Sequence, residues 1–190
     1  MKRTPEKTGK RCVGFPPIVG ESPRILVLGS MPSEASIAAG EYYAHRANRF
    51  WPLMARLFPE AADDLTSSDY VRRTAALRRV GVALWDTIGT CEREGSSDSR
   101  IRRAEPNDLA GFLRECPSLT HVILNGRKSE AVWRRHAEAE VLLQRPDLIV
   151  RVCPSTSPAN AALRLDDLVA AWRSALASGK SAWSESQSNC

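Results

Sequence analysis

The chain has 190 residues and a mass of 20.9 kDa, and 27 Lys and Arg against 22 Asp and Glu leave a formal charge of +5. That length fits one domain with terminal extensions, able to bury roughly 70% of its unfolded surface. The 43% hydrophobic and 26% charged content excludes collagen, coiled coil and wholesale disorder, and the longest uncharged run, Val152 to Leu163, falls short of the ~20 residues of a membrane span.

The N-terminus reads Met1-Lys2-Arg3-Thr4-Pro5-Glu6-Lys7 with no apolar stretch behind its charges. No secretory signal is expected, so the protein is expected in the cytoplasm, a bacterial-type cytosol or nucleoid. Residues 1–23 carry a net +3 and are rich in Pro and Gly. They read as a loosely ordered basic arm, either a solubilising tail or a grip on a polyanion through its phosphates. The compact domain is expected over residues 24–177. Residues 178–190 are Ser-rich and read as a flexible tail.

Within the domain, four β-rich runs come in order: Arg24–Leu28, Val82–Trp85, His121–Leu124 and Leu148–Cys153. Each is nearly continuously apolar, as a strand buried on both faces requires. Helical patterns lie between and after them, at Asn48–Phe58, Ser68–Arg79, Asn107–Cys116, Ser129–Ala139 and Leu163–Ala177. Pro106-Asn107-Asp108 marks one helix start. Alternating strands and helices predict an α/β fold: three α/β/α layers around a central, mostly parallel four-stranded sheet.

Ligands of such a sheet bind beyond the carboxyl ends of its strands. Those ends continue into Gly29-Ser30-Met31-Pro32-Ser33, Asp86-Thr87, Asn125-Gly126-Arg127 and Pro154-Ser155-Thr156-Ser157-Pro158-Ala159-Asn160. Any one polar loop is ordinary, but four together read as a pocket rim. The long loop after the first strand adds Tyr42, Tyr43 and Asn48, and aromatic faces beside an amide suit a planar base. The hydroxyls and N–H groups of the two Ser-Pro-type loops suit phosphate.

Other chemistries find no footing. The five cysteines, at 12, 91, 116, 153 and 190, are odd in number and at least 25 residues apart, so neither disulfides nor a metal cluster is expected. His136-Ala137-Glu138 imitates the start of a zinc-deaminase signature, but no Pro-Cys-x-x-Cys follows. The sequence also lacks a Walker loop, a Gly-x-Gly-x-x-Gly and a Gly-x-Ser-x-Gly elbow. Neither a metal nor a cofactor is expected.

The segments Gly29-Ser30-Met31-Pro32-Ser33, Tyr43-Ala44-His45-Arg46-Ala47-Asn48-Arg49-Phe50-Trp51 and Pro154 to Asn160, three separated motifs in that order, resemble the uracil-DNA glycosylase superfamily. They are most similar to its hypoxanthine-DNA glycosylase branch, over about Ile25 to Asn160. The resemblance implies a monofunctional, metal-free glycosylase that flips a deaminated base out of DNA and hydrolyses its N-glycosidic bond. Uracil and hypoxanthine both fall within reach. Lys128 is the single lysine of residues 24–177, which leaves a Schiff-base lyase little to work with.

In that resemblance Asn48 takes a catalytic role, and Asp86 reads the base or positions water. The plainer alternative for Asp86 is a loop cap. Ser30, Met31, Tyr43 and Asn125 become the base-binding set, with Tyr43 the stacking aromatic. Ser33, Ser155, Ser157 and Asn160 become the DNA-binding set, and the Ser157-Pro158-Ala159 tip is a wedge without a bulky apolar side chain. The chain departs from the common pattern twice. Met31 stands where most members carry Asp or Asn, and Cys153 where many carry His. These departures keep a second reading open, a non-catalytic module that binds lesion-bearing or single-stranded DNA. On either reading the partner is DNA with deaminated bases and the protein is expected to be a monomer.

Overall fold

The structure, a computed structural model, describes residues 10–177. Its elements, in chain order, are β1 (Lys10–Val13), β2 (Ile25–Gly29), α1 (Glu34–Ala39), α2 (Phe50–Leu57), α3 (Ala62–Leu65), α4 (Tyr70–Arg79), β3 (Val82–Asp86), β4 (Ile88–Arg93) and β5 (Arg102–Pro106). There follow α5 (Leu109–Glu115), β6 (His121–Asn125), α6 (Arg127–His136), α7 (Glu138–Gln144), β7 (Ile149–Cys153) and α8 (Leu165–Ala177).

The four apolar runs form one parallel sheet in the order β3-β2-β6-β7. Both faces of β2 are covered, because its alternating side chains enter different cores. Ile25 and Val27 pack with Phe50, Met54, Leu77 and Trp172, whereas Leu26 and Leu28 pack with Leu109, Leu113, Val122 and Trp133. Two helix layers thus sandwich the sheet, and the three-layer α/β/α expectation holds. Of the four strands, β7 departs from the expectation of burial on both faces: it is an edge strand, and Arg151 and Val152 are exposed.

Helix starts follow local chemistry. Asp69 accepts from the Val71 N–H at 2.8 Å and caps α4, and Asp108 accepts from the Gly111 N–H at 2.8 Å and caps α5. Pro52 sits in the first turn of α2, where its missing N–H costs no helical bond.

A second, antiparallel sheet, ordered β1-β4-β5, was not foreseen. Its strands lack a long apolar run: β5 is Arg102-Arg103-Ala104-Glu105-Pro106 and is exposed throughout. The loosely ordered arm expected over residues 1–23 therefore fails from Lys10 onward. Residues 10–13 pair with β4, Ile18 bridges to Leu84, and the Cys12 and Ile18 side chains are buried. The first nine residues of that arm, and the tail expected over 178–190, lie outside the described residues. β3 runs almost directly into β4, so Asp86 stands at the junction of the two sheets. Asn107 braces the junction by donating to the Asp86 carbonyl at 2.8 Å.

Candidate active site

The strand order reverses between β2 and β6, the point at which a doubly wound sheet opens a crevice. A cleft of about 1020 Å³ opens there, lined by all ten residues singled out from the sequence: Asn48 and Asp86, then Ser30, Met31, Tyr43 and Asn125, then Ser33, Ser155, Ser157 and Asn160. The fold brings them together, but it gives them different freedom.

Asp86 forms the floor. It is 3% exposed and its Oδ2 has no hydrogen-bond partner among the described residues. Burial, reinforced by the nearby charge of Asp98 and opposed by Arg93, pushes its carboxyl up to about 8. The group is therefore mostly neutral at pH 7, carrying both an O–H donor and a carbonyl acceptor. Among the described residues its side chain caps no backbone N–H, which does not fit the loop-cap alternative.

Tyr43 forms a wall. Its backbone adopts the left-handed region at φ 56°, and its ring stacks on Phe50 with centroids 4.1 Å apart and planes 20° from parallel. Burial and the Asp86 charge raise its phenol well above the ordinary value, so it stays protonated. Asn125 holds this wall in place. Its Nδ2 donates to the Tyr43 hydroxyl at 3.0 Å and to Thr156 Oγ1 at 3.1 Å, while its Oδ1 accepts from the Thr156 N–H at 3.0 Å. The Asn125 amide is thus already committed within the protein.

Asn48 lines the cleft and accepts from the Phe50 N–H at 3.0 Å through Oδ1 in the turn leading into α2, and its NH2 group has no partner among the described residues. Met31 supplies no polar group. It is 7% exposed and packs with Cys12, Ile88 and Cys91 beneath the rim. Cys153 is buried and its thiol is pushed up to about 12 by desolvation, so it is an inert packing group.

The four hydroxyl and amide residues of the DNA-binding set are loop builders in this state. Ser33 caps α1 by accepting from the Ser36 N–H at 3.1 Å. Ser155 accepts from the Ser157 N–H and Ser157 from the Ala159 N–H, while Asn160 donates to the Ser155 carbonyl at 3.0 Å.

Three residues were missed. Arg49 lies inside one of the motifs but drew no role; its guanidinium donates to the carbonyls of Leu163, Ser157 and Asn160 and so pins the last loop to α2. Asp98 arrives from the turn between β4 and β5 and accepts from Ser30 Oγ at 2.8 Å. Arg93, only 1% exposed, donates to the Pro32 carbonyl and draws both carboxyls of the cleft downward against the effect of burial. Arg93 ends β4 of the unforeseen second sheet and Asp98 lies in the turn that follows, in a polar stretch with no sequence motif to mark them.

Comparison with known proteins agrees with this architecture. The model of the Uracil DNA glycosylase superfamily matches residues 16–176. A hypoxanthine DNA glycosylase of Methanosarcina barkeri is 35% identical over 172 residues, covering 90% of this chain and 95% of the relative. One from Methanosarcina acetivorans is 36% identical over 147 residues, covering 77% and 87%. A solution NMR structure from M. acetivorans, described as a candidate uracil DNA glycosylase, superposes with a TM-score of 0.69 at 32% identity over 88% of this chain and 99% of that one.

Proposed function

The chain belongs to the uracil DNA glycosylase superfamily, and on that premise we propose that it is a monofunctional DNA glycosylase of base-excision repair, active on uracil and also on hypoxanthine. It flips the base from DNA, hydrolyses the N-glycosidic bond and leaves an abasic site. The observation that carries this reading is the buried, unpartnered Asp86 Oδ2 on the floor of the cleft beside the Tyr43 wall.

A neutral carboxyl offers one donor and one acceptor side by side. The N3–H and O4 of uracil, and the N1–H and O6 of hypoxanthine, present the complementary pair. The same edge explains why one pocket takes both bases. Tyr43 supplies the ring against which the base rests. As the bond breaks, negative charge grows on the departing base, and the Asn48 NH2 and the Asp86 O–H are the donors that stabilise it. Ser30 and Met31 close the cleft beside the base, with Met31 contributing packing alone. Asn125 acts by holding Tyr43 and Thr156 in register. Ser33, Ser155, Ser157 and Asn160 hold the strand through N–H groups and hydroxyls that their loops keep in place.

The reaction uses the chain's own groups and water, so it proceeds with EDTA present, and the protein acts as a monomer in the cytoplasm. Among the described residues no helix is long and apolar enough to cross a membrane.

The test is alkali cleavage of end-labelled oligonucleotides carrying one uracil or one hypoxanthine, single-stranded and paired, in EDTA. Strand breaks that need alkali are expected for both bases. Intact strands despite measurable, salt-sensitive binding would instead identify a lesion-binding module.

A further inference from the structure

The cleft is lined by two carboxyl groups, Asp86 and Asp98, and they stand in unlike surroundings. Asp86 is buried on the floor with an unpartnered oxygen. Asp98 belongs to an exposed turn at Asp98–Arg100, outside the parallel sheet and its four loops, yet its Oδ1 is tied to Ser30 Oγ at 2.8 Å. Ser30 immediately follows β2, so the second sheet delivers a carboxylate to the switch point of the first.

Hydrolysis of an N-glycosidic bond builds positive charge on the sugar and needs a water on its far side. A fixed anion serves both needs. Met31 and Cys153, the two departures from the superfamily pattern, are buried and offer no base, and Asp86 is taken up by the base. We propose that Asp98, held over the cleft by Ser30, is the carboxylate that orients and deprotonates the attacking water.

This inference rests on the glycosylase reading above. In the step, the C1′–N bond breaks with its electron pair leaving on the base, and the water oxygen bonds to C1′. One water proton passes to Asp98 and is returned to solvent, from which the base anion takes one. Partial desolvation beside the cleft raises the Asp98 carboxyl, while Ser30, Arg93 and Lys128 draw it down. Asp86 and Tyr43 also face the same space. The two carboxyls thereby divide the work: Asp86 on the floor meets the base, and Asp98, anchored by Ser30, meets the water.

The experiment is single-turnover excision of uracil by the full chain, compared for wild type, Asp98→Asn, Asp98→Glu and Ser30→Ala, with affinity measured on an oligonucleotide carrying a non-hydrolysable 2′-fluorinated uridine. Asp98→Asn keeps an acceptor for Ser30 and the turn is exposed, so folding is retained. Its rate constant is expected to fall at least about 100-fold, with affinity within about 3-fold of wild type. The rise of rate on the acid side of the wild-type pH profile should vanish. Asp98→Glu should recover part of the loss, and Ser30→Ala, which leaves the carboxylate untethered, should fall between. An Asp98→Asn rate within 3-fold of wild type, or a parallel loss of affinity and rate, overturns the proposal. A wild-type protein that cleaves neither base overturns the glycosylase reading itself, and this inference with it.

Discussion

Gly29 and Asp86 are register partners at the ends of β2 and β3, and a Cβ on Gly29 would lie 2.3 Å from Asp86 Oδ1 and 3.1 Å from the Tyr43 hydroxyl. The cleft floor exists because this position has no side chain. Gly29→Ala must displace the carboxyl, the phenol or the strand, and overpacking of this kind costs about 1–3 kcal/mol. Misplacing reacting groups by ~1 Å costs about 100-fold in rate. We expect Gly29→Ala to lower single-turnover excision by about that factor while still unfolding cooperatively in urea. An alanine variant within 3-fold of wild type would show that Asp86 and Tyr43 need no such fixed placement.

The burial of Asp86 has a thermodynamic signature. Its carboxyl is raised to about 8 in the folded protein, against an ordinary value near ~4 in an unfolded chain. Between those values the folded state holds a proton that the unfolded state has released. Stability from this group is therefore full below pH ~4 and is lost as pH rises through about 8. The Asp98 carboxyl is raised too and adds slope of the same sign, while the lowered Asp64 and Asp147 oppose it. Asp86→Asn isolates the one contribution. In urea unfolding across pH 5 to 9, the variant should gain stability relative to wild type as pH rises. A constant difference across the series would mean that Asp86 is ionised in the folded protein.

The same buried carboxyl illustrates what could be read in advance. Asp86 was legible because it ends an apolar run, and strand ends in an α/β chain converge. The three-layer order followed from the same runs: Ile25 and Val27 differ in side from Leu26 and Leu28 by the alternation of any strand. The second sheet was illegible because Lys10–Val13 and Arg102–Pro106 carry no apolar period. Their pairing depends on β4 being present to receive them. Asp98 was hidden for the same reason, since its place in the cleft is marked by a contact with Ser30, 68 residues away in sequence. The expectation that Asn125 reads the base failed to anticipate how much of its amide serves Tyr43 and Thr156. Spacing can bring a residue to a rim, but hydrogen-bond partners decide what it has left to offer.

Arg49 ties the rim together. Its Nη2 donates to the Ser157 carbonyl at 2.7 Å and the Asn160 carbonyl at 2.9 Å, and its Nη1 reaches the Leu163 carbonyl. A planar fork can satisfy three carbonyls on one loop, whereas a lysine ammonium cannot reproduce its fixed spread. Arg49→Lys is expected to loosen residues 155–163 without unfolding the domain. Limited proteolysis should cut that loop faster, and the affinity for lesion DNA should fall more than the rate constant at saturation. Wild-type resistance to proteolysis in the variant would place the loop's order elsewhere.

Asn48 has two separable duties, and its variants can tell them apart. Its Oδ1 accepts from the Phe50 N–H in the turn that leads into α2, a hydrogen bond of the kind that contributes about 1 kcal/mol. Its NH2 group remains for the departing base. Asn48→Ala removes both, so a modest stability loss and a large rate loss are expected together. Asn48→Asp keeps the acceptor for Phe50 and removes the donors, replacing them with a negative charge where negative charge develops on the base. It should therefore unfold like wild type in urea yet excise uracil at least about 100-fold more slowly, the loss typical when one transition-state donor is removed. If Asn48→Asp retains the wild-type rate, the amide contributes only to the turn, and the Asp86 O–H must stabilise the departing base without it.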